Sequence, residues 1–243
     1  MKTMKITGWL CVGIALLAAK TADAQVPAPA TEKLYLNVNF GGQLASRSVA
    51  SFASKTVYDE PATLTSSGDI AQSALFDVGV GYRVWGDVFV GIGVSRSSTT
   101  GDAAYTASVP DPAVYGRPKA TTGTETGLGR TELAVNPNVA WVTALADKVD
   151  IAIGLGMAFI NLKQELAADF TVPAGTQSVI PVLAEQKGTA KGIYANVDLI
   201  YSIRPKLGVG GFVRYAGGKV DLDTVKDHNA GGMQVGGGIR LRF

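Results

Sequence analysis

The chain predicts an all-β fold, an eight-stranded antiparallel up-and-down β-barrel, on three observations. Apolar side chains recur at every second position in eight separate segments, the period of a strand. The apolar parity of those segments carries no charge in a chain that is 17% charged, whereas the opposite parity holds Asp77, Arg83, Asp150, Asp198, Arg214, Arg240 and Arg242. Connections between segments alternate strictly between short and long.

In order, residues 1–24 read as a signal peptide. Lys2 and Lys5 precede an apolar run from Ile6 to Ala19, and Ala22-Asp23-Ala24 is a small-x-small cleavage site. That run is too short for a membrane helix, which needs roughly 20 residues. Residues 25–31 form a short Pro/Ala periplasmic lead, and 32–243 the barrel. The first segment places Leu34, Leu36, Val38, Phe40 and Leu44 on one face, and the second Ala74 to Val84. The third runs from Val88 to Val94, and the fourth from Leu133 to Trp141. The fifth spans Val149 to Phe159, the sixth Ile193 to Ile203, and the seventh Leu207 to Tyr215. Met233 to Phe243 is the eighth. Pro137 removes a ladder donor from the fourth segment, for which a local bulge is expected.

Tight turns follow the second, fourth and sixth segments at 85–87, 144–148 and 204–206. Long links span 45–73, 95–132, 161–192 and 216–232. Short turns at one end and long loops at the other are the plan of a transmembrane barrel, with the turns periplasmic and the loops extracellular. A soluble ligand carrier would also have eight alternating strands, with its apolar face inward. The non-apolar face, however, carries five Gly-x-Gly units, such as Gly79-Val80-Gly81 and Gly236-Gly237-Gly238. Glycine weakens a strand, and a wet exterior gains nothing from it. A cramped interior gains room for inward groups such as Phe212, Arg214 and Tyr194. The apolar face therefore meets lipid. Its aromatics sort into two belts: Phe40, Phe76, Phe159 and Tyr215 towards the loops, and Tyr82, Trp141, Tyr201 and Phe243 towards the turns.

The closing segment, GGMQVGGGIRLRF, resembles the C-terminal assembly signal of bacterial outer-membrane barrels, with Gly238, Leu241 and Phe243 at the matching positions. Gly236 departs from the polar residue usual two places earlier. With the signal peptide and strand plan, the chain resembles the small outer-membrane β-barrel superfamily of the OmpA/OmpX/OmpW type, without the periplasmic domain of OmpA-type proteins. The resemblance implies the cell outer membrane of a Gram-negative envelope as location. It implies outer-membrane lipid and lipopolysaccharide as surroundings, and the barrel-assembly machinery and periplasmic chaperones as partners during biogenesis.

Composition excludes several classes of function. Removing residues 1–24 takes three of the 22 basic residues and one of the 20 acidic ones, leaving 19 of each. Such neutrality offers nothing to nucleic acid. The single cysteine, Cys11, leaves with the signal peptide, so thiol catalysis and cysteine metal sites are not expected. His228 in the last long loop, beside Asp227 and near Asp221 and Asp223, reads as a solvated loop residue rather than a catalytic one. The three aspartates make at most a weak calcium site, and no cofactor is expected. The inward charges Asp77, Arg83, Asp150, Asp198, Arg214, Arg240 and Arg242, with Glu132 at a strand end, are expected to form a lumen network. Asparagines such as Asn39 and Asn136 fill the space between them. A non-catalytic role in structure and surface interaction is the expected function. The alternatives are a narrow, porin-like channel for small ions or small solutes, hydrophobic ones included, and a lipid-modifying or proteolytic enzyme. Phe170 to Val172 and Val179 to Leu183 are expected to pair as a hairpin above the membrane.

Overall fold

The computed structural model describes residues 32–44, 47–70, 72–222 and 227–243; the expected signal peptide, the expected lead and Asp223 lie outside them. Ten strands follow in order: β1 Leu34–Gln43, β2 Arg47–Val57, β3 Glu60–Ile70, β4 Ser73–Trp85, β5 Val88–Val109, β6 Lys119–Ala146, β7 Val149–Thr171, β8 Ile180–Arg204, β9 Leu207–Val220 and β10 His228–Arg242. Eight of them close a ring in the order β1-β4-β5-β6-β7-β8-β9-β10, and every pairing is antiparallel. The seam joins β1 to β10, from Tyr35 opposite Arg242 to Gln43 opposite Gln234. Phe243 extends it, donating its N–H to Leu34 and accepting from the amides of Lys33 and Leu34.

Sheet closure gives every wall strand a neighbour on both sides along the ring, while above it, among the described residues, β6 before Arg130 pairs only with β5 and β8 before Lys191 only with β7. The turns at 86–87, 147–148 and 205–206 are each two residues long. Gly86 takes the left-handed conformation there (φ +49°), which suits the twist of a tight hairpin.

In the strand plan, the first long link and the Pro137 position depart from the sequence reading. The first long link is not a plain loop: β2 and β3 form a hairpin inside it, turning at Tyr58 and Asp59, both at positive φ. β3 then pairs with the upper part of β5, from Thr63 opposite Ser108 to Asp69 opposite Asp102. These strands are built largely of Ser, Thr and Ala, so their alternation carries little hydrophobic contrast. The other departure concerns Pro137. It sits in β6 opposite Ile92 with no bulge; the β6–β7 ladder passes over Asn136 and Pro137 and resumes at Asn138 opposite Gly156 in the same register.

Wall heights differ. β5 to β8 run 22, 28, 23 and 25 residues, against 10, 13, 14 and 15 for β1, β4, β9 and β10. A tilted strand crosses a bilayer in about 9–11 residues, so β5–β8 continue well beyond it. With β2 and β3 they make an outer head. One apolar cluster, including Ile160, Leu162, Leu166, Val220 and Leu222, fills the loop end of the lumen. A second, around Leu64, Val109, Phe170 and Val179, is the core of the head.

Candidate functional site

The lumen is held by a continuous polar column. Near the turns Arg242 pairs with Asp150. Above them Arg240, 2% exposed, grips Asp198 through Nε (2.7 Å) and Nη2 (2.9 Å) and donates from Nη1 to Asn39 (2.5 Å). Asn39 donates to Asp77 (3.3 Å), whose other oxygen accepts from Arg214 (2.7 Å). Arg214 also donates to Gln234 (2.5 Å), Gln234 to Gln43 (2.9 Å), and Gln43 to Glu132 (3.1 Å).

The column ends on Arg130, which donates to Glu132 (2.6 and 3.0 Å), Gln164 (3.0 Å) and the Asn229 carbonyl (2.9 Å). Its Nη1 also lies 2.9 Å from Nε2 of His228. A guanidinium has no lone pair to offer, so His228 accepts there and holds its proton on Nδ1. His228 is thus a buried member of β10 and not a solvated loop residue. Glu132 likewise lies within β6 and not at a strand end. Arg130 stands outside the segment limits set by hydrophobic alternation. Stepping the inward parity back two places from Glu132 is the signal that finds it. Arg83 turns inward over Phe89 and donates to the Gly86 carbonyl (3.2 Å), apart from the carboxylates.

The glycines leave space for particular groups. A Cβ at Gly81 would run into the ring of Tyr35; one at Gly236 would lie 2.8 Å from Phe212, and one at Gly210 3.0 Å from Asp198. Tyr35, which alternation alone did not single out, packs edge-on against Phe89 with centroids 5.2 Å apart.

Outside, the pattern inverts. Phe40, Phe76, Tyr82, Trp141, Tyr201, Tyr215 and Phe243 are all exposed, as are the aliphatics Val80, Val90, Leu155, Val197 and Val213 between them, and Phe159 is partly so. Trp85, at the end of β4, adds to the aromatics beside the turns. A ring of strands with ion pairs within and hydrocarbon without is stable only where lipid wets the outside. This is the fold of a small outer-membrane β-barrel.

No protein-family model matches the chain, and no curated protein matches it in sequence. Among solved structures, the barrel is similar to Neisserial surface protein A at 13% identity and TM-score 0.47, over 86% of this chain and 97% of that one. It is similar to the outer membrane protein OprG from Pseudomonas aeruginosa at 9% identity and TM-score 0.41, over 87% and 96%. The outer membrane protease OmpT from Escherichia coli is similar at 8% identity and TM-score 0.47, over 91% and 99%. At such identities the likeness is one of fold alone.

The head of the barrel is clasped by a few polar contacts. Lys55 on β2 reaches Asp169 on β7 (3.2 Å) and the Phe170 carbonyl, with its ammonium over the Phe170 ring. The Phe170 amide and then Lys55 hold the Asp169 carboxyl below its usual range. Tyr58, at the hairpin tip, bonds to Pro173 and Thr176 in the β7–β8 connection. The 170–183 stretch pairs as a hairpin, from Asp169 opposite Val182 to Thr171 opposite Ile180. Among the described residues no cluster of three or more His, Cys, Asp or Glu side chains could hold a metal.

Proposed function

We propose that this chain is an integral outer-membrane barrel with a non-catalytic role, giving the envelope a stable wall element and presenting the outer head to the surroundings. The observation that carries this reading is the state of the lumen: Arg130, Arg214, Arg240 and Arg242 each lie against a carboxylate, and an apolar cluster packs beside the upper end of the column. Eight strands enclose little more than side chains, and charges tied to one another do not shed a partner for a passing ion without cost. Lipid and lipopolysaccharide meet the exposed aromatic belts, and the cleaved signal peptide delivers the chain to the periplasm. Gly238, Leu241 and Phe243 serve there as the signal read by the assembly machinery, with chaperones holding the chain beforehand.

The continuity of the same column favours a second reading, a narrow path for small ions. Planar-bilayer recording on the refolded protein separates the two. The closed reading expects no steady conductance from the native protein and a measurable one once Asp77 and Arg214 are both replaced by alanine. Ion-selective current from the native protein would establish the channel instead. The likeness to OmpT concerns fold, and no proteolytic or lipid-modifying role is assigned on it.

A further inference from the structure

Among the described residues, one buried carboxyl in the outer head, that of Glu125, has neither a counter-charge nor a hydrogen-bond partner of good geometry. Glu125, on β6 opposite Ala103 of β5, is 7% exposed, and both of its oxygens are covered. Ser51 and Ser66 face each other across the β2–β3 ladder, both buried, and the Ser51 hydroxyl also has no partner. Among the described residues, the charged groups on the strands around this interior that could reach it are engaged elsewhere. On β2, Lys55 is held by Asp169 and the Phe170 carbonyl. On β3, Glu60 accepts the Gly116 amide (3.0 Å). On β6, Arg130 is committed to Glu132, Gln164 and His228. Asp102 of β5 is exposed and accepts the Gly127 amide (3.1 Å). Tyr105 of β5 lies over Gly123, and β7 and β8 contribute the neutral, buried Gln164 and Gln186.

An isolated carboxylate removed from water is costly, and a proton neutralises it most readily. We infer that Glu125 is a proton-operated latch of the outer head: protonated, it lets the β2–β3 hairpin lie closed on β5 and β6, and ionised, it loosens that hairpin. The hairpin is the element that yields. Among the described residues β2 pairs only with β3, and β3 joins β5 only between Thr63 and Asp69, whereas the β5–β6 ladder runs nearly the whole length of both strands. Burial raises the Glu125 carboxyl above its usual range, the nearby Ser66 hydroxyl drawing it partly back. A carboxyl raised in the folded head contributes stability fully present below its unfolded value, about 4.3, and lost as pH rises through the folded one. The latch is independent of whether the lumen conducts.

Hydrogen exchange of residues 47–70 in the full-length barrel, refolded in detergent micelles and corrected for intrinsic rates, tests this at pH 5 and pH 8. Protection of the native hairpin is expected to be lost progressively from pH 5 to pH 8, because the stability contributed by the protonated carboxyl disappears as pH rises through its raised folded value. Glu125→Gln, which mimics the protonated acid, is expected to keep the acid-side protection at both values. Equal native protection at both pH values overturns the latch, as does a pH dependence that survives in Glu125→Gln. Calcium or potassium ions restoring native protection at pH 8 would make a metal ion the occupant and equally overturn it. Should Glu125→Gln fail to give a heat-modifiable barrel, Ser66→Ala carries the test. Loss of that hydroxyl moves the transition to higher pH, and an unmoved transition refutes the assignment.

Discussion

Arg240 shows how each inward side chain stays in so narrow a space. Both of its outward-reaching nitrogens on one side meet Asp198, and Asn39 takes a third. Asp198→Ala leaves a guanidinium that is 2% exposed with only Asn39 and the Ile239 carbonyl, and no counter-charge, among its hydrogen-bond partners in the described residues. A loss of about 3–5 kcal/mol is expected, read as a lower urea midpoint for the micelle-refolded barrel. Replacing Asp198 and Arg240 together by leucine and methionine should cost far less, because no charge is then stranded. Gly81 makes a second test. The Tyr35 ring that its Cβ would strike is pinned edge-on by Phe89, so it cannot simply swing away. Gly81→Ala is expected to cost about 1–3 kcal/mol, and much less in a Tyr35→Ala background, a coupling that a double-mutant cycle reads directly.

Strand by strand, the wall was legible in the sequence, whereas of the head only the hairpin across residues 170–183 was. A membrane face imposes a strong period-two contrast: lipid excludes charge from residues such as Val80, Leu155 and Val213, while the lumen collects Asp77, Asp198 and Arg214. That contrast fades where both faces of a strand meet water or one another. β2 and β3 therefore carry no clear alternation, and β5 to β8 continue past the limits that hydrophobicity sets. Arg130 and His228 lie in this blind zone, which is why the upper end of the polar column emerges only from the fold. The hairpin's own clasp has an acid dependence opposite to that of Glu125. The Asp169 carboxyl is held low by the Phe170 amide and by Lys55, so its stabilisation is present above the unfolded value of about 3.9 and lost as pH falls through the lower folded one. Proteolytic nicking at Tyr58-Asp59 is expected to rise below about pH 4, and Lys55→Met should remove the Lys55 part of that rise.

For the molecule as a whole, assembly depends on the seam. Deleting Phe243 takes away the partner of Lys33 and Leu34 together with an exposed aromatic beside the turns. Lower yield of heat-modifiable barrel in membranes is the expected result, and normal yield would count against the assembly role of the last strand. The same seam has a kinetic consequence. The other wall pairings join strands that follow one another directly or, for β1 and β4, across the inserted β2–β3 hairpin, but Tyr35 must find Arg242 from the far end of the polypeptide. Closure entropy grows with the length of the intervening chain, and such non-local pairing is slow. Until that last stitch is made, β1 and β10 are two sticky hems with bare amides and carbonyls, each able to pair with a neighbouring molecule. Crowding during export is thus this protein's most hazardous moment, and dilution should favour its refolding more than prolonged incubation does.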